Sequence, residues 1–151
     1  MTAGKATEII TVRAARVADA VQIARLSAQL GYPESDEVFA ARLRQLLPLP
    51  QHAVLVAADA GATPLGFIAV EHRLTLESGA RVEIVGLVVD ADARRRGVGH
   101  ALLAAAEAWA RGIGTPELMV RSNVVRAESH PFYEGAGYRR AKTQHVYRKT
   151  L

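Results

Sequence analysis

The stretch from Leu87 to Leu103, LVVDADARRRGVGHALL, constrains this chain more than any other. It opens with the end of an apolar, β-branched run, residues 82–89, which predicts a buried strand. A polar turn over residues 90–96 follows, and then Gly97, Val98 and Gly99 lead into an alanine- and leucine-rich helix. Strand, glycine-bearing turn and helix start together present unpaired backbone N–H groups to an anion. Arg94, Arg95 and Arg96 stand immediately before the glycines. The arrangement points to a phosphate-bearing ligand; the plain alternative is a glycine-containing helix start behind an exposed basic turn.

What is missing narrows the ligand. A P-loop needs Lys-Ser or Lys-Thr after its glycines, and neither is present. A dinucleotide fingerprint needs a third glycine, a short gap behind the strand, and an acid near the end of the next strand. Here Leu102 holds the third position, seven residues separate Val89 from Gly97, and Glu117 opens the next predicted strand. The remaining pattern, L-x-V-x-x-x-x-R-x-x-G-x-G, resembles the acyl-CoA pyrophosphate loop of the GNAT N-acetyltransferase superfamily. The resemblance implies that Leu87, Val88 and Val89 line the pantetheine arm, with backbone groups of Leu87 and Val89 offered to it. It also implies that Arg94, Arg95, Arg96, Gly97, Val98, Gly99 and His100 surround the pyrophosphate of acetyl-CoA.

Along the chain, residues 9–13 read as a first strand, and residues 17–30 as a helix with Ala20, Ile23, Leu26, Ser27 and Leu30 on one face. Gly31, Tyr32 and Pro33 break it. Ser35 is placed to cap a second helix whose first turn holds Asp36 and Glu37 and whose stripe is Phe39, Leu43, Leu46 and Leu47. Residues 53–58 and 65–74 predict two strands of a hairpin, and a further strand ends at Val89. The helix behind the glycines sets Val98, Leu102, Ala105, Ala106, Trp109 and Ile113 on one face, with Gly112 and Gly114 stopping it. Residues 117–121 read as a strand, 127–134 as a short helix and 138–151 as two closing strands. The expected fold class is α/β: a single GNAT-like domain over residues 1–151, core about 9–151, with one mixed central sheet flanked by helices.

The run SNVVRAESHPFYEGAGY, ending at Tyr138, carries a second resemblance to the same superfamily, in the F-Y-x-x-x-G-[FY] pattern filled by Phe132, Tyr133, Gly137 and Tyr138. It is nearest the small-amine branch, which includes aminoalkylphosphonate and aminoglycoside acetyltransferases. The common spacing places an Asn seven residues before the Tyr; Arg126 holds that position and Asn123 lies three residues earlier, so both stand as contacts to the cofactor. Arg126 also has Glu128 and Asp90 as alternative partners. Tyr133 reads either as a functional hydroxyl or as an aromatic anchor for its helix, and His130 either as a substrate contact or as a surface residue.

Acetyl transfer to an amine has definite requirements. An alkylammonium with a pKa of about 10.4 leaves only about 1 in 10³ molecules neutral at pH 7. A carboxylate or a water relay can take that proton. The oxyanion needs a donor, for which the backbone N–H of Val89 is suited. The departing thiolate can take a proton from Tyr133, the role the resemblance implies. Glu83 is the candidate base: it lies in a Val- and Ile-rich strand, where a carboxylate stays only if paired or used. It stands six residues before Val89, so strict alternation puts the two on one face. A salt bridge to Arg81 or Arg73 is the competing explanation. Gly86 suits a β-bulge.

The acceptor site is expected near the break between the first two helices. Tyr32 is a candidate contact there; Glu34 and Asp36 would favour a cationic amine, whereas His72, Arg73 and His130 would favour one carrying phosphonate or carboxylate. The chain has no cysteine, which removes disulfides, thiolate metal sites and an acyl-cysteine intermediate, so direct transfer in a ternary complex with no metal is expected. No run approaches the ~20 apolar residues of a membrane span, and MTAGKATE lacks a secretory apolar core. A cytoplasmic enzyme acting on a small-molecule amine, without membrane or nucleic-acid partners, is the expectation, with room for a homodimer. Two rivals stand beside it: an acetyl-CoA-binding sensor without catalysis, and a basic nucleic-acid-binding domain suggested by the +4 net charge.

Overall fold

The structure, a computed structural model, describes residues 9–122 and 129–151. Two compact units divide the chain, Met1–Val120 and Arg121–Leu151.

The first unit opens with β1 (Thr11–Ala14) and a single 3₁₀ turn (Val17–Asp19) that leads into α1 (Ala20–Gln29). Asp19 makes that turn. Its carboxylate accepts from the Arg16 N–H at 2.7 Å and from both terminal nitrogens of Arg13 at 2.8 and 2.9 Å. α1 buries Ala20, Ile23, Leu26 and Ser27, as its periodicity predicts. In α2 (Asp36–Leu46), Ser35 Oγ accepts the Val38 N–H at 3.2 Å, and Asp36 and Glu37 occupy the favourable first turn. Leu43 of this helix is buried, and Phe39, Leu46 and Leu47 pack beside it.

Four further elements complete the unit's sheet: β2 (His52–Ala58), β3 (Pro64–Thr75), β4 (Gly79–Val89) and β5 (Leu118–Val120). The order is β1-β2-β3-β4-β5, antiparallel as far as β4 and parallel between β4 and β5, which makes the sheet mixed. Parallel neighbours need a long crossover, and α3 (Val98–Ile113) supplies it.

The sheet is covered on both faces. On one, Val54, Val56, Phe67 and Val88 form a core with Ile23 and Leu26 of α1 and Leu43 of α2. On the other, α3 lies so close to Gly66 that a Cβ there would stand 3.1 Å from Val98 and 3.2 Å from Leu102. Burying side chains of this size stabilises by about 1.5–3 kcal/mol each. α3 packs through Val98, Leu102, Leu103, Ala106 and Ala110, whereas Ile113 is 37% exposed. This corrects the predicted stripe: a helix so rich in alanine and leucine is apolar nearly all round, and periodicity alone does not select the packed side. Gly112 lies inside α3. Gly114, at φ +90°, ends the helix, with the Thr115 N–H returning to the Ala110 carbonyl at 3.1 Å.

One irregularity governs the site. The β3–β4 register runs Ala69↔Gly86 and then Val70↔Ile84, so Val85 is an extra residue and the strand bulges beside Gly86. Glu83, opposite Glu71, therefore shares the face of Gly86 and Val88, whereas Val89, opposite Gly66, points to the α3 side. Strict alternation had placed Glu83 with Val89, and the bulge reverses it.

In the second unit, α4 (Ser129–Gly135) follows residue 128 and Ser122 Oγ lies 2.7 Å from Ser129 Oγ. The F-Y-x-x-x-G-Y pattern has a physical cause. Gly137, at φ +94°, donates to the Glu134 carbonyl at 3.1 Å and Tyr138 donates to the Tyr133 carbonyl at 3.0 Å. That helix-ending motif brings the residues at its two ends together, here the Tyr133 and Tyr138 rings, 5.9 Å apart and edge to face. The two closing strands predicted over residues 138–151 are absent. The segment has no regular secondary structure, and Val146, Tyr147 and Leu151 are 81%, 89% and 108% exposed. Between Arg139 and Lys149 it offers few apolar residues to alternate, so no face gains by burial.

Candidate active site

Among the described residues, β4 and β5 pair through Val82, Glu83 and Ile84. β5 ends at Val120, opposite Ile84, and among the described residues no strand pairs with residues 85–89 of β4 on that edge of the sheet. An extended amide-bearing chain can add there by backbone hydrogen bonding. The open edge runs directly into the basic turn.

α1 holds the start of that turn. Arg25 donates to Asp90 Oδ2 at 2.7 Å and to the Pro64 carbonyl at 3.1 Å. Gln29 donates to Asp90 Oδ1 at 3.3 Å, and its Oε1 accepts the Ala91 N–H at 2.9 Å. Asp90 also accepts the Asp92 N–H at 3.1 Å, closing a 3₁₀ turn over Ala91–Ala93. The chain then rises through Arg94 and Arg95, both exposed, with Arg95 at φ +67° and Gly97 at φ +81°. Gly97 brings no side-chain cap to α3, so the first-turn N–H groups and the positive end of a 16-residue helix face the loop. Of the three arginines, Arg96 is drawn aside: it donates to Asp59 of the β2–β3 connection at 2.9 Å. Sequence reasoning missed Arg25, Gln29, Asp59 and Asp90 as the parts that set this loop.

Glu83 is 3% exposed. Its Oε2 accepts from Arg73 Nη1 at 2.7 Å, so the salt bridge weighed as the competing explanation is present. Glu71 shares that face and lies 3.9 Å from Arg73 Nε. The contact with Glu83 raises the Arg73 pKa further. His72 is not part of this group: it pairs with Val82 in register and sits on the opposite face. Tyr32 follows Gly31, the left-handed residue that ends α1, and its side chain is 63% exposed. Glu34 is 4.0 Å from Arg42, an exposed pair of little energetic weight.

Two anchoring carboxylates make the fold sensitive to acid. Asp19 is held below the ordinary carboxylate range chiefly by Arg13, and Asp90 chiefly by Arg25. With folded pKa values below the unfolded ones, the unfolded chain binds more protons as pH falls. Their stabilisation is therefore complete above about pH 4 and lost as pH drops through the folded values. Urea midpoints measured between pH 7 and 3 should fall along that limb, and Asp90→Asn should flatten it; an unchanged acid limb would show that the Arg25 pair contributes nothing.

The second unit holds Tyr133 and His130, both half-buried. Burial pushes the Tyr133 hydroxyl above its ordinary value of 10.0, so it keeps its proton across the neutral range. Asn123 and Arg126 lie outside the described residues. Among the described residues, no group of three or more His, Cys, Asp or Glu is placed to hold a metal ion, and no helix is long and apolar enough to cross a membrane.

The sequence pattern of the acetyltransferase (GNAT) family matches residues 19–138. The chain belongs to this family. As a GNAT protein it is an acetyl-CoA-dependent N-acetyltransferase, moving acetyl from acetyl-CoA to an amine. It is 32% identical to an aminoglycoside N(6')-acetyltransferase type 1 of Stenotrophomonas maltophilia over 145 residues, 93% of this chain and 94% of that one. Over 110 residues it is 33% identical to glucosamine 6-phosphate N-acetyltransferase 1 of Oryza sativa subsp. japonica, covering 70% and 65% of the two chains. The solved aminoglycoside N-acetyltransferase AAC(6')-Iy, in complex with CoA, superposes with a TM-score of 0.84 at 21% identity, over 97% of this GNAT chain and 99% of that one.

Proposed function

We propose that this chain acts as one cytoplasmic domain that acetylates a primary amine of an amino sugar by direct transfer in a ternary complex, without a metal. The observation that carries the reading is β4 itself. The strand that holds Glu83 runs one residue further beside β5, which ends there, and among the described residues its edge is then unpaired up to a helix start that has no side-chain cap and is preceded by Arg94 and Arg95. Acetyl-CoA suits both parts: the amides of its pantetheine arm pair along residues 85–89, and its pyrophosphate takes the N–H groups of Val98, Gly99 and His100. Glu83 accepts the ammonium proton, and the neutral amine forms its bond to the thioester carbonyl carbon as the C–S bond breaks. A backbone N–H at Val89 steadies the oxyanion; Tyr133 gives its proton to the leaving sulfur, and the proton that N–C bond formation leaves on nitrogen passes through solvent back to the Tyr133 phenolate, so the amide and the CoA thiol both leave neutral. The amino-sugar acceptor follows from the relatives, whose names share an amine borne on a sugar.

A thiol-release assay tests the function. Purified protein with acetyl-CoA should liberate free CoA thiol when given an aminoglycoside or an amino-sugar phosphate, with the N-acetyl product seen by mass spectrometry. Tight acetyl-CoA binding with no thiol release across amino sugars, polyamines and lysine peptides would make the protein a sensor.

A further inference from the structure

We propose that the acceptor carries an anionic group as well as its amine, and that Arg81 binds that group beside Glu83. This rests on the acceptor amine docking at Glu83. The β3–β4 register sets Arg73 opposite Arg81 and Glu71 opposite Glu83, so four charged side chains share one face of the hairpin. Formally they cancel, but their geometry is lopsided. Glu83 is 2.7 Å from Arg73, and Glu71 is 3.9 Å from the same guanidinium. Both carboxylates lean on Arg73. Among the described residues no acid pairs with Arg81, and its Nε, closed off from solvent, has no hydrogen-bond partner.

Two costs are left standing. Like charges directly across two strands repel, and a buried donor without an acceptor forfeits its hydration. An anion that reaches the partly exposed guanidinium offsets the repulsion. The guanidinium fork matches a carboxylate or a phosphate, and does so better than an ammonium would. Arg81 and Glu83 are two residues apart on one strand, about 7 Å between Cα positions. One small molecule can therefore place its amine at Glu83 and its anion at Arg81. A zwitterionic acceptor leaves this face neutral, whereas a purely cationic one sets a further positive charge against an uncompensated arginine.

The test compares kcat/KM for a sugar amine carrying phosphate, an amine carrying carboxylate, and an amine of similar size carrying neither. The wild-type protein should prefer an anionic acceptor, and whichever arm wins identifies the anion. In Arg81→Gln the ratio of anionic to anion-free acceptor should fall roughly 10–100-fold, the scale of a lost hydrogen bond to a charged group, mainly through KM. Arg81→Lys, which keeps the charge but not the fork, should hold a ratio between those of wild type and Arg81→Gln. A melting curve for each variant separates misfolding from lost recognition, and acetyl-CoA affinity should be unaltered. If the wild-type protein acetylates all three amines equally, or the ratio survives Arg81→Gln, the anion subsite is wrong while acetyl transfer stands. If no amine is acetylated although acetyl-CoA binds, both readings fall.

Discussion

At pH 7, Glu83→Gln should lower kcat/KM about 10²–10⁴-fold, the usual scale for loss of a general base. The substitution keeps the side chain's size and one hydrogen bond to Arg73, but it removes the ability to take the amine's proton. Its deficit should shrink as pH rises towards the acceptor's own pKa, because solution then supplies the neutral nucleophile. The buried pair with Arg73 makes the comparison sharp. A carboxylate kept only for that pair predicts a lower melting temperature and a rate loss that does not recover at high pH. A pH–rate profile with a melting curve separates the two. Wild-type rates in the variant at pH 7 would remove Glu83 from the chemistry and move the search to Glu71 or a bound water.

Acetyl-CoA affinity should fall about 10²-fold or more in Gly97→Val. At φ +81° any side chain strains the backbone, by about 1–3 kcal/mol. A Cβ built on Gly97 meets no protein atom within 4 Å. The protein leaves this space open, and a ligand that approaches the backbone needs it. Gly114 is the control, since it caps the far end of the same helix at φ +90° and a Cβ there is equally unobstructed. Gly114→Val should therefore cost similar stability yet keep its affinity by calorimetry. Equal affinities in folded Gly97→Val and wild-type protein would disprove the pyrophosphate site.

The parts legible from sequence are those whose causes are local. Strand, turn and helix around the glycines are written in consecutive residues, as are the Ser35 cap and the left-handed glycine that closes α4. The parts not legible depend on partners far apart in the chain. Arg25 and Gln29 reach Asp90 across 65 and 61 residues, and nothing in their neighbourhood announces it. Arg96 stands in a run of three arginines and looks equivalent to the others until Asp59 claims it. The tail after Tyr138 reads as two strands by its place in the chain, yet its composition leaves little to bury. Glu83 is a mixed case: its residue type and burial were readable, but its face was not, because one inserted residue defeats counting by twos.

That inserted residue makes β4 a strand with two parities. Along β3, odd-numbered positions from Phe67 to Arg73 keep one side throughout. Along β4 the same side is served by even numbers at Gly86 and Val88, then by odd numbers at Glu83 and Arg81. The strand is thus spliced from two reading frames, one written for the core and the other for chemistry, and Val85 is the join. A one-residue deletion there would restore a regular ladder. Glu83 would then stand two residues from Gly86, so it and Arg81 would keep their present face and the strand would lose only the bend and added twist of the bulge.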